Sequence, residues 1–164
     1  NRSPMIRTVL PKDAQAISDL YNYYIQESTA TFEEVVLDAS EMEKRIQAHK
    51  PEHWLVFEQS SEILGFAYAK PWKERSAYRY TMEISVYIDP KHHRKGIGKS
   101  LYELLLERLK VAGIHAVVAG ITLPNPSSID FHESLGFTKV AHFRETGFKF
   151  GRWIDVGYWE KILS

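Results

Sequence analysis

The sequence predicts a single-domain mixed α/β fold, and three observations carry that prediction. Apolar periodicity switches along the chain between the strand and the helix repeat. Gly, Pro and Asp residues fall between the periodic stretches. The 164 residues, 44% of them apolar, suffice to enclose one core without metal or disulfides.

Residues 6–9 read as a short strand, and 13–27 place Ile17, Leu20, Tyr21, Tyr24 and Ile25 at helical spacing. After a loop at 28–32, a second helix is expected from Ser40, whose hydroxyl caps it while Glu43 completes a capping box; it ends before Pro51. Residues 54–58 and 63–70 form a hairpin about Ser60-Ser61-Glu62. The stretch 71–80 is irregular, aromatic and cationic, and 81–88 is a strand that stops at Asp89-Pro90. From Gly98, Leu101, Leu104, Leu105 and Leu109 share a helical face, and Gly113 ends the run. Residues 116–122 form a buried strand, and Pro124-Asn125-Pro126-Ser127 opens a helix that runs through Leu135 and stops at Gly136. Two final strands, 138–142 and 153–161, flank a loop rich in Gly, Phe and Lys. The order is β-α-α-β-β-β-α-β-α-β-β, with residues 1–4 an irregular lead and 5–164 the domain.

Lys and Arg equal Asp and Glu at 21 each, so no global field gathers nucleic acid or anionic membrane. The absence of Cys excludes disulfides, thiolate zinc and a Cys nucleophile. With no apolar run of membrane length and no leader at residues 1–5, the chain is expected in the cytoplasm and away from membranes. His49 and His53 are four apart, but Pro51 breaks any helix that would align them, so no metal is expected.

Charge is locally uneven: Lys91, His92, His93, Arg94, Lys95 and Lys99 include no acid between them and flank two glycines. They lie between a strand and a long helix, where unpaired N–H groups and the positive dipole end suit a diphosphate. A dinucleotide fingerprint would need Gly at Leu101, and a Walker A loop would need Gly at His93; both fail. Taken alone, the stretch also reads as a tight turn with basic residues facing water.

Arg94-Lys95-Gly96-Ile97-Gly98 closely resembles the Gln/Arg-x-x-Gly-x-Gly/Ala loop of the GCN5-related N-acetyltransferase superfamily. Val86-Tyr87-Ile88 precedes it, Asn125 opens the following helix, and Leu135-Gly136-Phe137 closes it, in that family's order and spacing. The resemblance implies a central, mostly antiparallel sheet flanked by helices, with strand 81–88 splayed from 116–122, and acetyl-CoA as co-substrate. On that basis Ser85, Val86, Tyr87 and Ile88 lie along the pantetheine arm, Val86 and Ile88 through main chain. His93, Arg94, Lys95, Gly96, Ile97, Gly98 and Lys99 hold the diphosphate, and Asn125 and Ser128 bond the cofactor farther along. His93 departs from the usual Gln/Arg, at a position where backbone donors dominate.

Three further segments, 29–33, 78–88 and 147–155, are similar to the phosphinothricin N-acetyltransferases and their relatives that acetylate methionine sulfoximine and methionine sulfone. Amine acetylation needs a free lone pair, so a base must take the ammonium proton. Glu83, flanked by Met82 and Ile84, matches that role in the resemblance; an ion pair with Arg79 or Arg75 is the alternative. Many superfamily members carry a tyrosine acid at the position of His132, which here is an acid, a cofactor donor or a polar pocket residue. The substrate set is Phe32, Trp72, Lys73, Glu74, Arg75, Arg79, Thr81, Met82 and Lys149, with Phe32 and Trp72 as walls and Lys149 from one subunit or its partner in a homodimer. The function implied is acetylation of the α-amino group of a small amino-acid analogue. Another small amine, or non-catalytic acyl-CoA binding, are the alternatives.

Overall fold

The computed structural model of the protein describes residues 3–93 and 96–164. Seven strands form one sheet: β1 (Met5–Thr8), β2 (Trp54–Gln59), β3 (Glu62–Pro71), β4 (Thr81–Ile88), β5 (Ala116–Leu123), β6 (Thr138–Lys149) and β7 (Arg152–Ile162). Their spatial order is β1-β2-β3-β4-β5-β7-β6. Every neighbouring pair is antiparallel except β4 and β5. That parallel pair is joined by a helical crossover, as its geometry requires.

Each face of the sheet is covered by two helices whose apolar stripes come from the periodicity described above. Helix α1 (Ala14–Glu27) and helix α2 (Ala39–Ala48) press Ile17, Tyr21, Tyr24, Ile25, Met42 and Ile46 onto Trp54, Val56, Phe66 and Tyr87. Helix α3 (Ile97–Val111) and helix α4 (Pro126–Ser134) cover the opposite face, where Leu101, Leu105 and Leu109 meet Ala67, Ile84, Val117 and Trp159. Each fully buried Leu contributes roughly 1.5–3 kcal/mol of transfer free energy. Among the described residues no helix is long and apolar enough to cross a membrane.

Two local expectations are corrected. Helix α2 is capped by Asp38, whose carboxylate accepts from Glu41 N–H at 2.8 Å, and not by Ser40. The chain is pinned just ahead of it, because Asn22 bonds both the N–H and the C=O of Leu37, at 2.8 and 2.7 Å. A carboxylate there also meets the positive end of the helix dipole. The Gly-, Phe- and Lys-rich stretch after 142 is strand, not loop. It becomes strand because a bulge between Phe143 and Gly147 absorbs the extra residues. Asp155 fills that bulge, accepting from Glu145 N–H at 2.8 Å and pairing with His142 at 2.8 Å.

Candidate active site

The parallel pairing of β4 with β5 covers only Thr81–Ala116, Met82–Val117 and Glu83–Val118. Beyond Glu83 the two strands part. Their separation leaves a groove of about 700 Å³, walled by Ile84–Ile88 on one side and by residues 119–122 on the other. Main-chain groups that a neighbouring strand would satisfy face this gap, and an unpaired buried peptide group is costly. A ligand arm that pairs with them as a strand does is therefore stabilised.

At one end the groove meets the first turn of α3. Gly96 caps that helix at φ 75°, a left-handed conformation that a residue with a Cβ adopts at a cost. Gly98 lines the groove floor, where an added Cβ would stand 3.3 Å from the Phe131 ring. The N–H groups of this turn have no partner within the helix, and Lys99 stands exposed beside them. Arg94 and Lys95 lie outside the described residues. His93 is tied down by a residue that sequence reasoning assigned to the core: the Tyr24 hydroxyl donates to the Ile88 carbonyl, so His93 Nε2–H donates to Tyr24 Oη, at 3.1 Å. This tautomer follows from the network.

Asn125 caps α4, its Oδ1 accepting from Ser128 N–H at 3.2 Å, which leaves the amide NH₂ as its donor toward the groove. His132 is buried one turn later. Its Nδ1 must carry hydrogen, because it meets the Ser128 carbonyl at 2.8 Å and a carbonyl only accepts. Burial holds the imidazole below its ordinary range, a shift the Ser128 bond partly opposes, so the ring is neutral and Nε2 is an acceptor. Of the roles expected for His132, direct donation into the groove does not fit this ring.

Glu83 is the last paired residue before the fork and is 23% exposed. Its ion-pair partner is Lys70, at 3.7 Å, rather than Arg75 or Arg79, because the β3–β4 register sets Lys70 directly across from it. Lys70 is itself 45% exposed, so the pairing is weak and solvent-screened. Three phenols share the field of the Glu83 carboxylate: Tyr68, Tyr102 and Tyr158. Desolvation is the first cause of the upward shift in each, taking Tyr68 to about 12. None ionises near neutral pH.

The substrate set divides. Thr81 lies two residues before Glu83 on β4, and Phe32 packs beneath Gly147, half-exposed. Trp72, Lys73, Glu74, Arg75 and Arg79 occupy the 72–80 connection at the far end of β4 from the glycine turn. Lys73 lies over Trp72 at 5.2 Å, and Arg79 lies over Tyr80 at 4.5 Å and donates to the Ser76 carbonyl at 3.0 Å. None of the five lines the groove. Met82 does not face a substrate: strand alternation turns it into the core under α3, 6% exposed. Lys149 is also corrected. It is 2% exposed and donates to the carbonyls of Ser28 and Thr31 at 2.7 and 2.8 Å, so it fastens the segment after α1 rather than meeting a ligand. The same segment is held by Glu33, which takes two bonds of 2.7 Å from Arg45 and one from Tyr21.

Sequence reasoning missed Tyr24, Lys70, Tyr102 and Tyr158. Helical spacing places Tyr24 on the apolar stripe of its helix, and Tyr102 lies on the buried side of α3 beside Leu101 and Leu105. The signal available for both was the hydroxyl, since a buried phenol needs a partner.

A sheet forked in this way, with a helix N-terminus at one end of the fork and a carboxylate at the other, is what the resemblance to the N-acetyltransferase superfamily implies. A family model described as an acetyltransferase (GNAT) domain matches residues 6–157. The phosphinothricin N-acetyltransferase of Streptomyces viridochromogenes is 40% identical over 159 residues, covering 95% of this chain and 86% of that protein. The L-methionine sulfoximine/L-methionine sulfone acetyltransferase of Salmonella typhimurium is 34% identical over 161 residues, covering 97% and 94%. The solved structure of a GNAT superfamily phosphinothricin acetyltransferase from Sinorhizobium meliloti, in complex with AcCoA, matches with a TM-score of 0.94 at 31% identity, covering 99% of this chain and 90% of that one. This chain belongs to the GNAT acetyltransferase family, and its fold is the mixed α/β fold of that family.

Proposed function

We propose that this enzyme transfers the acetyl group of acetyl-CoA to the α-amino group of a small amino-acid analogue of the phosphinothricin or methionine sulfoximine type. The observation that carries this reading is the fork itself: β4 and β5 separate immediately after a carboxylate, and the gap runs to an open helix N-terminus. The residues present fit the coenzyme, because the fork leaves main-chain groups for an amide-bearing arm and the first turn of α3 leaves N–H groups for a diphosphate. When bound, acetyl-CoA supplies an activated acyl group on a thioester.

The chain's own residues do the rest. Val86 and Ile88 hold the arm through main chain, with Ser85 and Tyr87 beside them. The turn from His93 to Lys99 takes the diphosphate, and Asn125 and Ser128 bond farther along. Glu83 takes the ammonium proton, directly or through one water, with Lys70 lying directly across the strand from it. The exposed cations of the 72–80 connection, Lys73, Arg75 and Arg79, attract the acidic groups of such a substrate to the mouth of the site, and Thr81 and Phe32 border it.

Two relatives named for such substrates, at 40% and 34% identity, support the substrate class. The test is thiol release from acetyl-CoA across a panel of amines. Phosphinothricin, methionine sulfoximine and methionine sulfone are expected to be fastest; spermidine at an equal or greater rate would overturn the substrate class.

A second copy of the chain is proposed to cover the outer hairpin, where Phe148, Phe150 and Trp153 stand more than half exposed at the free end of β6 and β7. Sedimentation of the wild type against Trp153→Lys checks this: a dimer that the substitution dissociates supports it, and a monomeric wild type removes it.

A further inference from the structure

The acetyltransferase reading leaves one proton without a carrier. An ammonium that becomes an amide gives up two protons, and Glu83 accounts for one. The position of His132 suggests the other carrier, yet its single N–H is bound to the Ser128 carbonyl at 2.8 Å, so the ring has nothing to donate into the groove.

Tyr102 reaches the same place from α3. Its ring is packed among Phe131, His132 and Phe137, with centroids 5.4, 5.5 and 6.3 Å away, and is 1% exposed. It nevertheless lines the groove together with Ile84, Ser85 and Ala119, where β4 and β5 part. A hydroxyl so buried needs a partner, and His132 Nε2 lies 3.4 Å away. Because Nε2 carries no hydrogen, the phenol is the donor, and its oxygen remains an acceptor for the groove. The separation is long for a finished bond, as is common before substrates bind.

We propose that Tyr102 is a catalytic residue of this enzyme, the phenol through which one proton leaves the attacking nitrogen and reaches the departing sulfur, with His132 as the positioning residue and proton store behind it. An N–C bond forms and a C–S bond breaks. One nitrogen proton goes to Glu83 and on to water. The second passes to Tyr102 Oη while the phenol hydrogen moves to His132 Nε2. As the C–S electron pair settles on sulfur, the imidazolium returns its hydrogen to the Tyr102 oxygen and the phenol hydrogen goes to the sulfur. The pair ends as it began, and the net release is the one proton exported by Glu83.

Burial suits these roles. Desolvation, with smaller contributions from Tyr68 and Glu83, raises the Tyr102 phenol far above its ordinary range and holds His132 below its own, so the resting pair is neutral with the hydrogen on oxygen. The field of Glu83 at Tyr102 also places both in one electrostatic neighbourhood, although they approach the fork from opposite faces of the sheet.

The test is Tyr102→Phe, which keeps the ring and removes Oη. Saturated turnover is expected to fall about 100-fold or more, while acetyl-CoA affinity by calorimetry stays within about twofold. In nitrogen-15 spectra of the His132 ring, recorded without any substrate, the wild type should show hydrogen on Nδ1 and a hydrogen-bonded Nε2, and Tyr102→Phe should move Nε2 toward a free ring nitrogen. A variant turning over within about threefold of wild type, or a wild-type ring with hydrogen on Nε2, overturns the proposal; the second measurement needs no variant to fold. Normal turnover in Tyr102→Phe beside a disabled Glu83→Gln removes the relay alone. A wild type that acetylates no amine removes the reading beneath it.

Discussion

At the α3 end of the groove the open polar groups belong to the backbone of the first helical turn, where Gly96 and Gly98 carry no side chain. At the fork the groove is lined by side chains, Tyr102 and His132, with Glu83 at the branch point and Lys70 across the strand from it. The first end is specified by conformation and the second by chemistry. Backbone donors are pre-organised by the helix, so they recognise charge and shape but move no proton. Carboxylate, phenol and imidazole bring protons, and their environments set where those protons sit. Binding and turnover are therefore expected to fail separately when the two ends are disturbed.

The largest expected effect is at the fork. Glu83→Gln should lower turnover about 100-fold or more and leave acetyl-CoA affinity nearly unchanged, as single-turnover kinetics and calorimetry would show. An unaffected rate would take Glu83 out of its role and break the comparison. Gly96→Val should give the opposite signature: a β-branched residue forced to φ 75° costs about 1–3 kcal/mol, so acetyl-CoA affinity falls roughly tenfold while turnover at saturation is kept. Equal losses in both parameters would mean that the two ends are not separable. The smallest effect is on stability. His132 has a lower pKa folded than unfolded, so the unfolded chain binds more protons as pH falls through about 6.5, and stability is lost from there downward. Thermal melts at pH 7.5 and 5.5 should show that loss, and His132→Gln should show less of it; His53, shifted in the same direction by burial, accounts for some of the remainder.

The order of the elements was legible in the sequence because each follows from local periodicity and punctuation. The β4 run ends at Asp89-Pro90, Gly96 opens α3, and Asn125-Pro126 opens α4. The strand and helix that border the α3 end of the groove were legible for the same reason, since they are consecutive along the chain. Where sequence and structure differ, a non-local contact decided. Asp38 caps α2 because Asn22, on another helix, positions Leu37. Residues 143–149 become strand because Asp155 on β7 closes the bulge.

By itself the sequence determined the fold class, the glycine start of α3 and the place of Glu83 on β4, because these depend on residues close together along the chain. Only the tertiary structure decided the employment of single side chains. It buried Lys149 against two carbonyls, turned Met82 into the core, gave Glu83 the partner Lys70 and brought Tyr102 up to His132 from 30 residues earlier. Each depends on strand register, on which face of the sheet a residue occupies, or on distance across the fold, and none of these has a signature in local sequence.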